Sequence, residues 1–392
     1  MKRAHLPHLA VAVSLALSAT GALAAETPAH FPLLGPHVYV MSNAADGNAI
    51  ADLQRDLFGK LVNTGVTATG GLGVGVGTTA PPPDPLGSQN SLQLSEDGRW
   101  LFAVNAGSND ISVLDVRHRR PSVVGVFPSG GTYPVSLAQA GHSLYVLNSA
   151  GAGSISTFRI TDGGYLVATV DGTRSIGTQV PLQGNQPNVG NTASQIEVDP
   201  SGQWLVVTIK HAGGQGSIET FRIGRDGTLA ATPTTTPSSD PAPFGFGFDR
   251  LGHVLVSEAG ANAVSSYAIG RNGTLATLDA SVPDGQAASC WLATRGQFAY
   301  VANAGSSTIS GYVADARGQL RLTHKDGVAA ALGAGRAPTD LKVSGDGATL
   351  VVNETGAGAV ASFFILPNGD LVKLGETPVF APLSGTQGLA VQ

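Results

Sequence analysis

Two carboxylates, one imidazole and two cations stand at turn positions where the rest of this 392-residue chain repeats asparagine or small residues. Glu258 and Glu354 can activate a water, and His211, next to Lys210, can exchange a proton near neutral pH. Arg336, in Gly335-Arg336-Ala337-Pro338, carries a planar fork that grips a carboxylate or phosphate and stabilises a developing oxyanion. Gln195 and Asn303 add neutral donors for binding. With Glu258, Glu354 and His211 as catalytic groups and Arg336, Gln195, Asn303 and Lys210 as substrate-binding groups, this set suits hydrolysis of an ester of a small acid. The same charges can instead be paired or solvated rim groups, and Arg336 can simply tie down its own loop through a glutamate.

Other chemistries find less support. Cys290 is the single cysteine, so no intramolecular disulfide forms, and beside Trp291 on an apolar strand it reads as a small buried hydrophobe rather than a nucleophile. His118, His142, His253 and His324 fall at turns or outer strands, so no metal site can be assembled from them and none is expected. The glycine run of residues 71–77 lacks the Lys-Ser/Thr and the helix of a phosphate-binding loop. No cofactor is expected.

What must position these residues is a hairpin that recurs along the chain. In residues 299–312 a β-branched and aromatic strand ends at Asn303, turn residues follow, and a second strand resumes at Thr308. Copies start near Tyr39, Phe102, Tyr145, Leu205, Leu255 and Leu350, which with Tyr300 makes seven at spacings suited to four-stranded blades. Asp97-Gly98, Gly202, Gly252 and Asp346-Gly347 mark the turn from each inner strand to the next, and Asp226-Gly227, Asn272-Gly273 and Asn368-Gly369 mark the outer hairpins. The first repeat lacks its inner strand, whereas residues 385–392 resemble residues 87–94 and stop where an inner strand would stop. The spacing therefore predicts an all-β, seven-bladed propeller closed by the C-terminal strand pairing into the first blade. Gln89, Asn90, Gln195, Phe244, Cys290, Arg336 and Asp340 are expected to line its channel, and residues 65–87, 171–192, 232–243 and 325–338 to be long loops on one face.

Residues 1–25 read as a signal peptide, with basic Lys2-Arg3, an apolar core over residues 9–17 and small residues near Ala24-Ala25. Residues 26–392 then form one propeller domain, periplasmic or secreted and monomeric. Loss of the two basic residues would move the net charge from −5 to −7, which gives no reason to expect nucleic acid or a membrane surface as partner.

From about His37 to Gln392 the chain resembles the lactonase family of seven-bladed propellers, which includes 6-phosphogluconolactonases and 3-carboxymuconate lactonising enzymes. The likeness rests on the Ser-x-Asp-Gly patterns at Ser95 and Ser344, on Tyr300-Val301-Ala302-Asn303 and on Asn353-Glu354. Leu86-Gly87-Ser88-Gln89, Pro243-Phe244-Gly245-Phe246 and Cys290-Trp291 are similar to a secreted branch of that family. The resemblance implies hydrolysis of a small sugar-acid or related lactone at the loop-rich face, and it implies a substrate-binding role for Arg336. Thr339-Asp340 stands where the phosphogluconolactonases place a histidine, which speaks against a phosphorylated substrate. The other expectation, from a different class, is a non-catalytic propeller that binds a glycan, a peptide or an envelope protein through the same loops.

Overall fold

The computed structural model describes residues 36–56, 59–76, 84–211 and 213–392. The signal-peptide segment lies outside the described residues. Apart from one short 3-10 turn, Val189–Asn191, every described element is a strand. The described strands, apart from one small two-stranded hairpin, form seven radial sheets, and their order repeats what the hairpins predict.

Blade 2 shows the pattern, running from the axis outward through Leu92–Leu94, Trp100–Asn105, Asp110–Asp115 and Ser122–Pro128. Its second strand is buried at every residue, whereas its outer strand mixes exposed and half-buried positions and buries none fully. A strand packed by neighbouring blades on both faces needs a continuous apolar run, and an outer strand needs only one apolar side. The tight turn before each second strand is held by glycine in the left-handed region, with φ of +68° at both Gly98 and Gly202.

Closure occurs as expected. Leu389–Val391 is the inner strand of blade 1, with Val40 opposite Leu389 and Val38 opposite Val391. Val38, Val40 and Leu389 are fully buried in a cluster that also holds Val351 and Val360 of blade 7, so the two chain ends are joined by packing as well as by hydrogen bonds. Each such side chain contributes about 1.5–3 kcal/mol through burial.

Three details differ from the sequence reading. In blade 3 a single element, Ser143–Ile160, supplies both middle strands, its first half pairing with Thr132–Ala140 and its second with Leu166–Val180. That last strand, together with the small hairpin of Leu182–Gln183 and Gln186–Pro187, occupies most of the expected 171–192 loop. The expected 232–243 and 325–338 loops likewise contain outer strands, Thr234–Pro237 and Ala330–Ala331, because β-pairing to the third strand satisfies backbone groups that an irregular loop would leave to solvent.

Candidate functional site in the axial channel

The inner strands bring a ladder of polar side chains to the propeller axis, and Gln89 crosses it. Its Nε2 donates to the carbonyl of Leu292 at 2.6 Å, its Oε1 accepts from the Leu292 N–H at 2.9 Å, and its own N–H donates to Ser194 at 3.0 Å. Blades 2, 4 and 6 are thus tied together across the channel. Gly245 leaves the room: a Cβ there would lie 2.3 Å from Gln89 Oε1.

On the loop-rich side of Gln89 lies a group formed by Asp84, Lys210, Cys290, Phe244 and Trp291. The Lys210 ammonium donates to the Gly87 carbonyl and sits 4.5 Å from the centre of the Phe244 ring, which meets Trp291 edge-on at 5.0 Å. Burial pulls the Lys210 pKa down to about 8, with the Asp84 carboxylate and Cys290 opposing. Burial pushes Asp84 up, opposed by Lys210, by Gln387 donating at 2.7 Å and by the Gly87 N–H at 2.9 Å. Cys290 is half-buried, and desolvation followed by the Asp84 charge raises its thiol pKa, so it stays protonated. Trp291 donates from its indole to the Ser88 carbonyl at 2.8 Å, fixing the aromatic wall.

Beyond Gln89 a second polar group follows. Asn90, at φ +64°, accepts from Lys342 and donates to Glu197 at 3.3 Å, and Gln195 donates to Glu197 at 2.7 Å and to the Phe246 carbonyl at 2.9 Å. Burial raises the Glu197 pKa against the Lys342 charge and the two amides. Asp340 is fully buried, and desolvation raises it to about 7, again opposed first by Lys342.

The sequence-predicted residues divide between this channel and the blades. Lys210 and Gln195 are in the channel, as are Gln89, Asn90, Phe244, Cys290 and Asp340. Glu258 is fully buried inside its blade, where its carboxylate accepts from Ser238 at 2.8 and 2.9 Å and from Tyr267 at 3.0 Å. Glu354 is also fully buried, and neither of its oxygens has a hydrogen-bond partner. Arg336 pairs with Glu376 at 2.7 Å rather than with Glu354, and Lys373 joins the same glutamate at 3.0 Å. Asn303 donates to Thr308 at 3.0 Å and to Ser310 at 2.8 Å within its own hairpin. His211 is exposed on the rim, 3.5 Å from Ser217. Glu258, Glu354 and His211 therefore do not converge.

The strand register explains why the two glutamates differ from expectation. Glu258 pairs with Ala263, Glu354 with Ala359, Asn303 with Thr308 and Asn105 with Asp110. Glu354, not Asn353, is thus the counterpart of the repeated asparagine, and both glutamates occupy the place where that asparagine braces its own hairpin. Asp84, Glu197 and Lys342 were missed. Asp84 follows a proline run outside the repeat, whereas Glu197 and Lys342 were visible as opposite charges at matching points of two inner strands, opposite Val206 and Val351. Among the described residues, no group of three or more His, Cys, Asp or Glu side chains could hold a metal ion.

No family model and no curated protein matches the chain. Solved structures do. The periplasmic gluconolactonase of Pseudomonas aeruginosa is 19% identical with a TM-score of 0.67, covering 91% of this chain and 98% of that one. A candidate 6-phosphogluconolactonase of Bacteroides fragilis is 16% identical with a TM-score of 0.68 over 91% and 98%. A protein from Lactobacillus plantarum is 16% identical with a TM-score of 0.69 over 91% and 100%. The likeness at these identities is one of fold, and it bears out the resemblance read from the repeats: this chain has the seven-bladed architecture of the lactonase-like propellers.

Proposed function

We propose that the protein hydrolyses a small sugar-acid lactone on the loop-rich side of Gln89, in the periplasm or outside the cell. The observation that carries this reading is the buried Lys210 ammonium, set beside Asp84 against an aromatic wall. Asp84, whose pKa is raised by burial, takes a proton from water as the water oxygen attacks the lactone carbonyl. Lys210 turns from the Gly87 carbonyl to the oxyanion that develops there, in surroundings where a charge acts strongly. The ring C–O bond then breaks, and the proton held by Asp84 passes to the departing alkoxide. Phe244 and Trp291 offer the sugar ring an apolar face. His211 and Arg336, on the rim, meet the carboxylate that ring opening creates as the product leaves, whereas Glu258 and Glu354 act through the architecture of their blades.

A panel of aldonolactones assayed with the purified chain by pH-stat tests the reading. Turnover is expected, with Lys210→Met and Asp84→Asn each lowering kcat/KM by about 10²-fold or more. Wild-type protein that opens no lactone would sink the proposal and leave the binding module.

A further inference from the structure

On the opposite face, where the inner turns lie, a cleft of about 870 Å³ runs between blades 4 and 5. It is lined by Arg222, Arg250 and Arg271 together with Ser201, Gln203 and Leu251. Arg222 stacks over Trp204 at 5.0 Å, and none of the three guanidinium groups has a carboxylate partner among the described residues. The nearby acids are already committed. Asp199 accepts the backbone N–H groups of Ser201, Gln203 and Trp204, and Asp249 holds His253 at 2.8 Å.

The repeat supplies its own control. The matching cleft between blades 2 and 3 is built around Trp100, with Arg99 and Arg117 stacked on it at 5.1 and 5.0 Å. There each arginine faces an acid, Arg99 at 3.8 Å from Asp97 and Arg117 at 2.5 Å from Asp115. Strand register aligns Asp115, opposite Trp100, with Arg222, opposite Trp204. Asp97 and Ser201 each stand three residues before their tryptophan, and Asp162 and Arg271 each stand two residues after the isoleucine that ends a third strand. Two acids have become arginine, and the Ser95–Asp97 pair of the sister turn returns in reverse order as Asp199–Ser201. A fold that needed only a stable turn would keep the paired version, and a chain of net charge −5 does not accumulate unpaired arginines by composition.

We infer that this cleft binds an acidic oligosaccharide. Planar guanidinium forks take carboxylates bidentately, the Gln203 amide can serve sugar hydroxyls, the Ser201 hydroxyl, which donates to Asp199 at 2.5 Å, can accept from one, and the exposed Leu251 offers a sugar ring an apolar contact. Donors spread along a groove suit an extended chain better than a single compact anion.

Calorimetry of the full chain with a galacturonate trisaccharide at low salt tests this, with neutral maltotriose and tripolyphosphate as comparison ligands. The trisaccharide should bind, maltotriose should not, and raising the salt should weaken binding. The double variant Arg222→Asp/Arg271→Asp, which gives the cleft the residues its sister carries, should weaken binding at least 10-fold. Arg222→Gln/Arg271→Gln should also weaken it, and serves if charge reversal disturbs folding. The inference is overturned if wild-type protein ignores the trisaccharide at millimolar concentration, if the variants bind as tightly, or if tripolyphosphate binds and the trisaccharide does not.

Discussion

Gln89 spans the propeller axis and closes both hydrogen bonds of the Leu292 peptide, as a neighbouring strand would, although the two residues belong to blades 2 and 6. The arrangement makes Gln89 a structural tie across the axis. Gln89→Ala leaves a buried N–H and carbonyl unpaired and should cost about 1–3 kcal/mol. Gly245→Ala pushes against the same amide and against the backbone of Cys290 and Leu292, each 2.8 Å from the new Cβ, and should cost about as much. Urea titrations of the two single variants and the double variant check the linkage. The costs should be clearly less than additive, because either change alone dislodges the amide, and additive costs would mean that Gln89 and Gly245 act separately.

Removing residues 388–392 should lower the melting temperature sharply, since it strips the inner strand from blade 1 and exposes the edge of His37–Met41. The buried Val38, Val40 and Leu389 cluster loses one side at the same time. Calorimetric melts of full-length and truncated protein decide the matter, and matching melts would show that the ring does not depend on its latch.

Blade count and the closing strand were legible because each repeat carries its own turn glycines and a continuous apolar second strand, signals that are local in sequence. The site was legible only in part. Gln195 sits on a repeat strand and Lys210 directly follows one, so their channel position follows from counting. Asp84 reaches Lys210 through a tertiary arrangement that no spacing encodes. Glu258 and Glu354 misled because a charge at a turn looks functional in sequence, whereas register shows them in the place of a bracing asparagine.

The pH profile of turnover should carry the mark of Lys210. Its ammonium must be charged to hold an oxyanion, and its pKa of about 8 places the loss of charge within the accessible range. Activity should therefore fall as pH rises through about 8. Lys210→Arg, which stays charged throughout, should move that limb upward while lowering the maximum rate through altered geometry. An alkaline limb unchanged in Lys210→Arg would assign it to another group.

Cys290 lies beside Lys210 and Asp84, yet its thiol pKa is raised, so a thiolate mechanism has no support in its surroundings. Cys290→Ala should leave kcat within a few-fold of wild type and cost about 1 kcal/mol or somewhat more in stability. Abolished turnover with an intact melt would return the thiol to the chemistry.

Glu258 and Glu354 occupy equivalent positions but differ in what their oxygens find, and substitution at a fixed pH should separate them. Burial raises both to about 7, Glu354 with the added repulsion of Glu376 and Glu258 with hydrogen bonds from Ser238 and Tyr267 opposing. A carboxyl whose folded pKa lies above its unfolded value binds more protons when folded. Its contribution to stability is complete below the unfolded pKa of about 4.5 and is lost as pH rises through about 7. Glu354→Gln removes a buried charge that has no hydrogen-bond partner, so the variant should gain on wild type between pH 5 and pH 8, by on the order of 1–3 kcal/mol at the upper end. Glu258→Gln should gain by about as much over this range, because its pKa is raised as far, but it starts from a lower stability, since it exchanges an acceptor-only group for an amide among hydroxyl donors. Denaturant titrations at pH 5 and pH 8 supply the comparison. A stability difference between Glu354→Gln and wild type that stays constant with pH would mean that Glu354 is not the group that titrates, and would leave its unpaired oxygens to a partner other than a proton.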